Sequence, residues 1–167
     1  MHGRAGWIAY GVAGVLAAFA TVTWAQQPAA PPVRPSYGQG INLETAKKIA
    51  AASVAEAKKQ SWNVAIAIVD NHGMLVYYEM ADDTQTASAN VALEKARTSA
   101  TFRRTTKELE DAIGSGRVAT LGLPGATPIE GGLPIIVNNR MVGAIGVSGV
   151  TSAQDGQVAK AGLEALK

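Results

Sequence analysis

The 167-residue sequence has no cysteine. That absence excludes disulfide scaffolds, thiolate-bound zinc, iron–sulfur centres and thiol catalysis together. Histidine is scarce: His2 and His72 are the only two. Zinc sites built from several imidazoles and two-histidine acid–base schemes therefore have little to draw on, and no zinc is expected. Aromatic residues make up 5% of the chain, which suits dense packing of small side chains better than an aromatic-lined cofactor slot. Charge is low as well, with 15 Lys and Arg against 13 Asp and Glu. The surplus is spread along the chain, so the pI near 9.0 marks no nucleic-acid footprint.

What the sequence does have is a hydrophobic fraction of 47%, enough for one globular domain. Residues 1–25 read as a secretory signal peptide. His2 and Arg4 precede an apolar run over residues 7–22, and Thr23-Trp24-Ala25 offers small residues for a cut after Ala25. The run is short for a spanning helix, so the expectation is a cleaved leader with no remaining membrane span, and a periplasmic or secreted product. Its loss removes Arg4 and His2, leaving a net charge of +1 and His72 as the sole histidine. Residues 26–41, with Pro28, Pro31, Pro32 and Pro35, read as a flexible or polyproline-like linker, and residues 42–167 as the folded domain.

Within that domain Asn42 is positioned to cap a helix over residues 43–59. Residues 64–69 form an unbroken apolar run of strand length, Asp70-Asn71-His72-Gly73 carries turn chemistry, and residues 74–80 read as the partner strand. A second helix spans 88–101, with Ala89, Ala92, Leu93 and Ala96 as its apolar face and Glu94, Lys95 and Arg97 near or outside that face. Thr105 or Thr106 caps a third helix through Ile113. The stretch 114–132, rich in glycine and carrying Pro124 and Pro128, reads as a long loop. Residues 133–137 and 141–147 make a second hairpin, and Thr151 or Ser152 caps the last helix, to Leu166. Two hairpins imply an α+β fold: a central antiparallel sheet of about 4–5 strands flanked by helices.

Several enzyme motifs fail on context. Gly114-x-Gly116-x-x-Ala119 mimics a dinucleotide fingerprint but follows a helix, so no NAD is expected. Gly146-Val147-Ser148-Gly149 lacks the last glycine of a nucleophile elbow, because Val150 stands there. Asp82-Asp83 are adjacent acids in a loop, more in keeping with solvated charges than with a cation site.

Five blocks, in order, carry a family resemblance: Val69-Asp70-x-x-Gly73-x-Leu75, Ala92-x-x-Lys95-Ala96, Phe102-Arg103-Arg104-x-Thr106, Gly131-Gly132-x-Pro134-Ile135, and Gly143-Ala144-Ile145-Gly146-Val147-Ser148-Gly149. The chain resembles the GlcG/HbpS family of haem-degrading or haem-binding domains over residues 42–167. The resemblance implies a central antiparallel sheet with flanking helices, a homo-oligomer, and haem as a possible cofactor. Family members often carry a histidine in the first hairpin at the position of Met74, whereas here His72 lies two residues earlier.

Residue types suited to haem iron are His72, Met74, Met80, Tyr77, Tyr78 and Met141, with His72 the leading metal ligand. Gly143-x-x-Gly146-x-x-Gly149 runs into the helix capped at Thr151 or Ser152, where free N–H groups favour a carboxylate or propionate. Arg103 and Arg104, with Thr106 beside them, could add charged partners. Glu130, Gly131 and Gly132 form the other candidate, since paired glycines let backbone approach a ligand or a neighbouring subunit. The leading expectation is an exported, oligomeric haem- or tetrapyrrole-binding protein that sequesters its ligand or passes it on. Two alternatives stand beside it: an enzyme or accessory protein acting on a small oxygenated carboxylic acid, with Glu130, Lys95 or His72 as acid or base, and a ligand-free structural assembly protein.

Overall fold

A computed structural model describes residue 3 and residues 32–167; the signal-peptide reading and the first part of the linker lie outside the described residues. In chain order the elements are β1 (Ser36–Tyr37), α1 (Leu43–Lys59), β2 (Ala65–Asp70), β3 (Leu75–Met80), α2 (Ser88–Phe102), α3 (Thr106–Gly114), a 3₁₀ turn (Val118–Gly122), β4 (Gly132–Val137), β5 (Arg140–Ser148) and α4 (Ser152–Glu164). The helix starts follow their caps. Asn42 accepts the Thr45 N–H, and Thr105 and Thr151 each build a capping box, with Glu108 and Gln154 respectively.

β2 pairs antiparallel with β3 on one side and with β5 on the other, and β4 pairs antiparallel with the far edge of β5. The turns fix both hairpins. Asp70 Oδ1 accepts the N–H groups of His72 and Met74 at 2.8 and 2.9 Å. Asn138 and Asn139 both have positive φ, the conformation a two-residue hairpin loop requires. The sheet is not wholly antiparallel, because β1 lies parallel to β5 at Arg140 and Met141. β4 covers the other edge of those residues, so β1 extends the sheet beyond the end of β2. Residues 34–41, read above as linker, are thereby built onto the domain: Tyr37 donates its hydroxyl to the Ala100 and Thr101 carbonyls, and Ile41 is buried. Polyproline composition anticipated an extended backbone but not its docking.

The layering follows from alternation along the strands. Ile66 and Ile68 of β2 and Ile145 and Val147 of β5 meet α1 and α4 in one core. Ala65, Ala67 and Val69 with Ala144 face α2, whose Ala92, Ala96 and Ala100 recur at helical spacing. Small side chains on both surfaces bring α2 very close to the sheet. A Cβ on Gly146 would lie 2.0 Å from the Ala92 carbonyl oxygen, so only glycine fits there.

Candidate functional site

The sequence-predicted residues fall into three places. The first is interior. Lys95 lies on the buried face of α2, between Ala92 and Ala96 and 1% exposed, and not near or outside that face as its charge suggested. Its Nζ donates to the Val147 carbonyl at 3.0 Å and to Asp155 Oδ2 at 2.8 Å. Asp155, in the first turn of α4, is 2% exposed and accepts the Val150 N–H on Oδ1 at 3.2 Å. Burial pushes the Asp155 carboxyl above its ordinary range, while Lys95 and the N–H groups of Val150 and Gly149 pull it back.

Around this ion pair the structure collects Thr106, Glu130, Gly131, Gly132 and Gly149. A Cβ on Gly131, whose φ is +127°, would lie 2.7 Å from the Val147 oxygen and 2.9 Å from Lys95 Nζ. Thr106 Oγ1 accepts the Gly132 N–H at 2.9 Å. These glycines serve close packing, and Thr106 is a buried clamp on β4 rather than a ligand-facing hydroxyl. The N–H groups read above as a cradle for an external carboxylate face the chain's own Asp155. Gly149 therefore serves an internal carboxylate, and Ser152 is the half-buried first residue of α4. Only Glu130 and the outer edges of Gly131 and Gly132 line a recess, of about 230 Å³, together with Lys107 and Lys160. Burial raises the Glu130 carboxyl there.

The second place is the β2–β3 hairpin. His72 is exposed in the turn and Met74 is 63% exposed. Register puts Leu75, Tyr78 and Met80 opposite Val69, Ala67 and Ala65, on the face of the sheet that carries α2. Helix α2 packs on β5, β2 and β4, leaving Leu75 at 49% and Tyr78 at 38% exposure on the outer strand. Arg97 donates to the Gly73 carbonyl and pairs with Glu94, tying the turn to α2. Imidazole, thioether and phenol thus sit on one hairpin beside apolar surface. Tyr77 lies on the opposite face and Met141 is fully buried in the core, which removes both from the ligand set.

The third is the end of α2, where two adjacent arginines part company. Arg103 adopts the left-handed conformation that ends the helix, and its guanidinium lies 5.1 Å from the Tyr37 ring centroid and donates to the Pro35 carbonyl. Arg104 turns the other way, into a cleft of about 300 Å³ bounded by Phe102, Leu109 and Arg117.

Residues 41–164 match the family described as haem degrading protein HbpS-like. The chain belongs to the HbpS-like family. Its domain is 43% identical to protein GlcG of Escherichia coli K12 over 108 residues, 65% of this chain and 81% of GlcG. It superposes on HbpS of Streptomyces reticuli, solved as a double mutant, with a TM-score of 0.71 at 30% identity, covering 84% of this chain and 99% of HbpS. The fold, at 23% identity and a TM-score of 0.69, is also that of PduOC, whose structure was solved as a haem complex.

The pairing of Lys95 with Asp155, which organises the HbpS-like domain here, is not anticipated from the sequence, where Lys95 reads as a candidate acid or base. Asp155 falls in the stripe 155, 158, 159, 162 that buries α4, and Lys95 falls in the stripe 92, 95, 96, 99 that buries α2. Opposite charges at core positions of two helices are the signal of a buried pair. Arg117, inside the glycine-rich stretch, had no such pattern to announce it.

Proposed function

We propose that this protein is an exported, oligomeric haem-binding protein that sequesters haem or passes it on. The observation that carries the reading is membership of the HbpS-like family, reinforced by 30% identity to HbpS over almost the whole of that protein. The family's description as haem degrading and the haem complex of PduOC, which shares the fold, support the same ligand.

The residues of the β2–β3 hairpin fit that ligand chemically. His72 would hold the iron, and Met74, Leu75 and Tyr78 would offer the porphyrin apolar contact. Bound haem would supply a redox-active iron, which His72 would help to hold. What the chain's own residues do is hold the turn rigid: Asp70 bonds two of its N–H groups and Arg97 fastens the Gly73 carbonyl. The apolar hairpin surface is open on a single chain, which favours enclosure by a second copy. Export rests on the signal-peptide pattern of residues 1–25.

The test is titration of the protein with haemin, followed by desalting, in wild type and His72→Ala. A stoichiometric Soret band that survives desalting and disappears in the variant is expected. Haemin recovered entirely in the flow-through from the wild type would refute the function. Fractionation with N-terminal sequencing, expected to begin at Gln26, tests export, and light scattering tests the oligomer.

A further inference from the structure

The cleft at the end of α2 places cationic charge around an apolar floor. Leu109, 2% exposed, Ala112, Phe102 and Leu123 form its floor and walls, and Arg104 and Arg117 bound it. A third guanidinium, Arg34, is close enough to act on Arg104. Burial lowers the Arg104 pKa, and the like charges of Arg34 and Arg117 lower it further, against an opposing pull from Glu108. Glu108 is engaged elsewhere, in a 2.6 Å ion pair with Arg34. Among the described residues no carboxylate lies within ion-pair distance of Arg104 or Arg117. The Arg104 guanidinium has, among the described residues, one acceptor, the Phe102 carbonyl, reached by Nε at 3.3 Å, so the fork of terminal N–H groups is left without one there.

Holding like charges together beside apolar surface is unfavourable unless an anion joins them. A guanidinium fork matches a carboxylate in two parallel hydrogen bonds. An apolar recess of about 300 Å³ is at the small end of the range for ligand sites. We propose that this cleft binds a small amphipathic carboxylate, with the acid between Arg104 and Arg117 and the apolar body against Leu109, Ala112 and Leu123. The carboxylate could come from a free acid of single-ring or short-acyl size, or from the propionate edge of a larger tetrapyrrole. The first source is independent of the haem reading, and only the second rests on it.

Benzoate and hexanoate, each beside its uncharged amide, are titrated calorimetrically into the full chain and into Arg117→Met, Arg104→Met and the double variant. Arg117 is exposed, so its variant tests the site without disturbing the interior. The acids are expected to bind and the amides not, with affinity falling about tenfold or more for each arginine removed. Haemin is titrated into the same variants and into His72→Ala. If neither acid binds but haemin affinity falls by a similar factor in both arginine variants, the carboxylate is a propionate and the site stands. If acids bind and haemin does not, the site stands and the haem function fails. Equal binding of acid and amide, or acid and haemin binding both unchanged in Arg117→Met and Arg104→Met, overturns the proposal, as does a failure of both the acids and haemin to bind.

Discussion

Replacing Asp155 by Asn tests the interior ion pair directly. The side chain keeps its size and an oxygen that can accept the Val150 N–H, now bonded to Oδ1 at 3.2 Å. The other position becomes an amide N–H₂ facing Lys95 Nζ, where a carboxylate oxygen stood at 2.8 Å. A donor then opposes a donor, and the Lys95 charge, 1% exposed, has only the Val147 carbonyl left as partner. Removing one member of a buried pair in this way costs about 3–5 kcal/mol, because the remaining charge stays desolvated. For a domain of this size that is roughly a 10–17 °C loss in melting temperature. Urea unfolding at fixed protein concentration measures it, since association would otherwise contribute to the midpoint. Lys95→Met should cost a similar amount. The double variant Lys95→Met/Asp155→Leu should recover most of the loss, because the pair repays its desolvation only while intact. Asp155→Asn within about 1 kcal/mol of wild type would refute the reasoning, since it would mean that water reaches the pair.

Three further outcomes are expected. Gly146→Ala should destabilise by about 1–3 kcal/mol or more, because the new Cβ would sit 2.0 Å from the Ala92 carbonyl oxygen and α2 must lift from the sheet; an unchanged denaturant midpoint would contradict the close approach. Thr151→Ala removes the acceptor for the Gln154 N–H at the start of α4 and should cost about 1 kcal/mol in the same assay. Burial raises the Glu130 carboxyl above its ordinary value of 4.5, so the folded chain holds that proton more tightly than the unfolded one. Its stabilising share is complete below the ordinary value and is lost as pH rises through the raised one. Glu130→Gln should therefore flatten the fall in urea midpoint just above pH 4.5, and an identical slope in both proteins would rule this out.

The sequence made the scaffold readable because most of its signals are local. Asn42, Thr105 and Thr151 announce helix starts through their own side chains, and Asn138-Asn139 supplies the positive φ values of a tight hairpin. The run 64–69 is apolar on both faces because β2 is covered by α1 and α4 on one side and by α2 on the other. What was not readable depended on distant partners. Residues 36–37 look like linker until Arg140 and Met141 offer them a strand edge. Lys95 looks solvated until Asp155, 60 positions away, meets it. Arg103 and Arg104 are equivalent on paper, and only the left-handed residue that ends α2 sends one to Tyr37 and the other into a cleft.

The same contrast governs where a ligand is to be sought. The glycines at 143, 146 and 149 suggested a cradle because spacing alone does not reveal direction. In the fold they face three different neighbours: the Val69 carbonyl, the Ala92 carbonyl and the Asn63 carbonyl. Each permits a close backbone approach, and none opens a space. The N–H groups at the end of that run are met by Asp155, which in turn engages Lys95, so the polar groups richest in sequence pattern neutralise one another inside the domain. A built-in counterion leaves no charge to recruit an external one. Among the described residues the guanidinium fork of Arg104, beside Arg117, has no ion-pair partner, and that cleft and the uncovered hairpin carrying His72 are accordingly the two places proposed for a ligand. On that proposal ligands meet the rim of the sheet and the end of α2, while the glycine-rich interior keeps three layers within reach of one another.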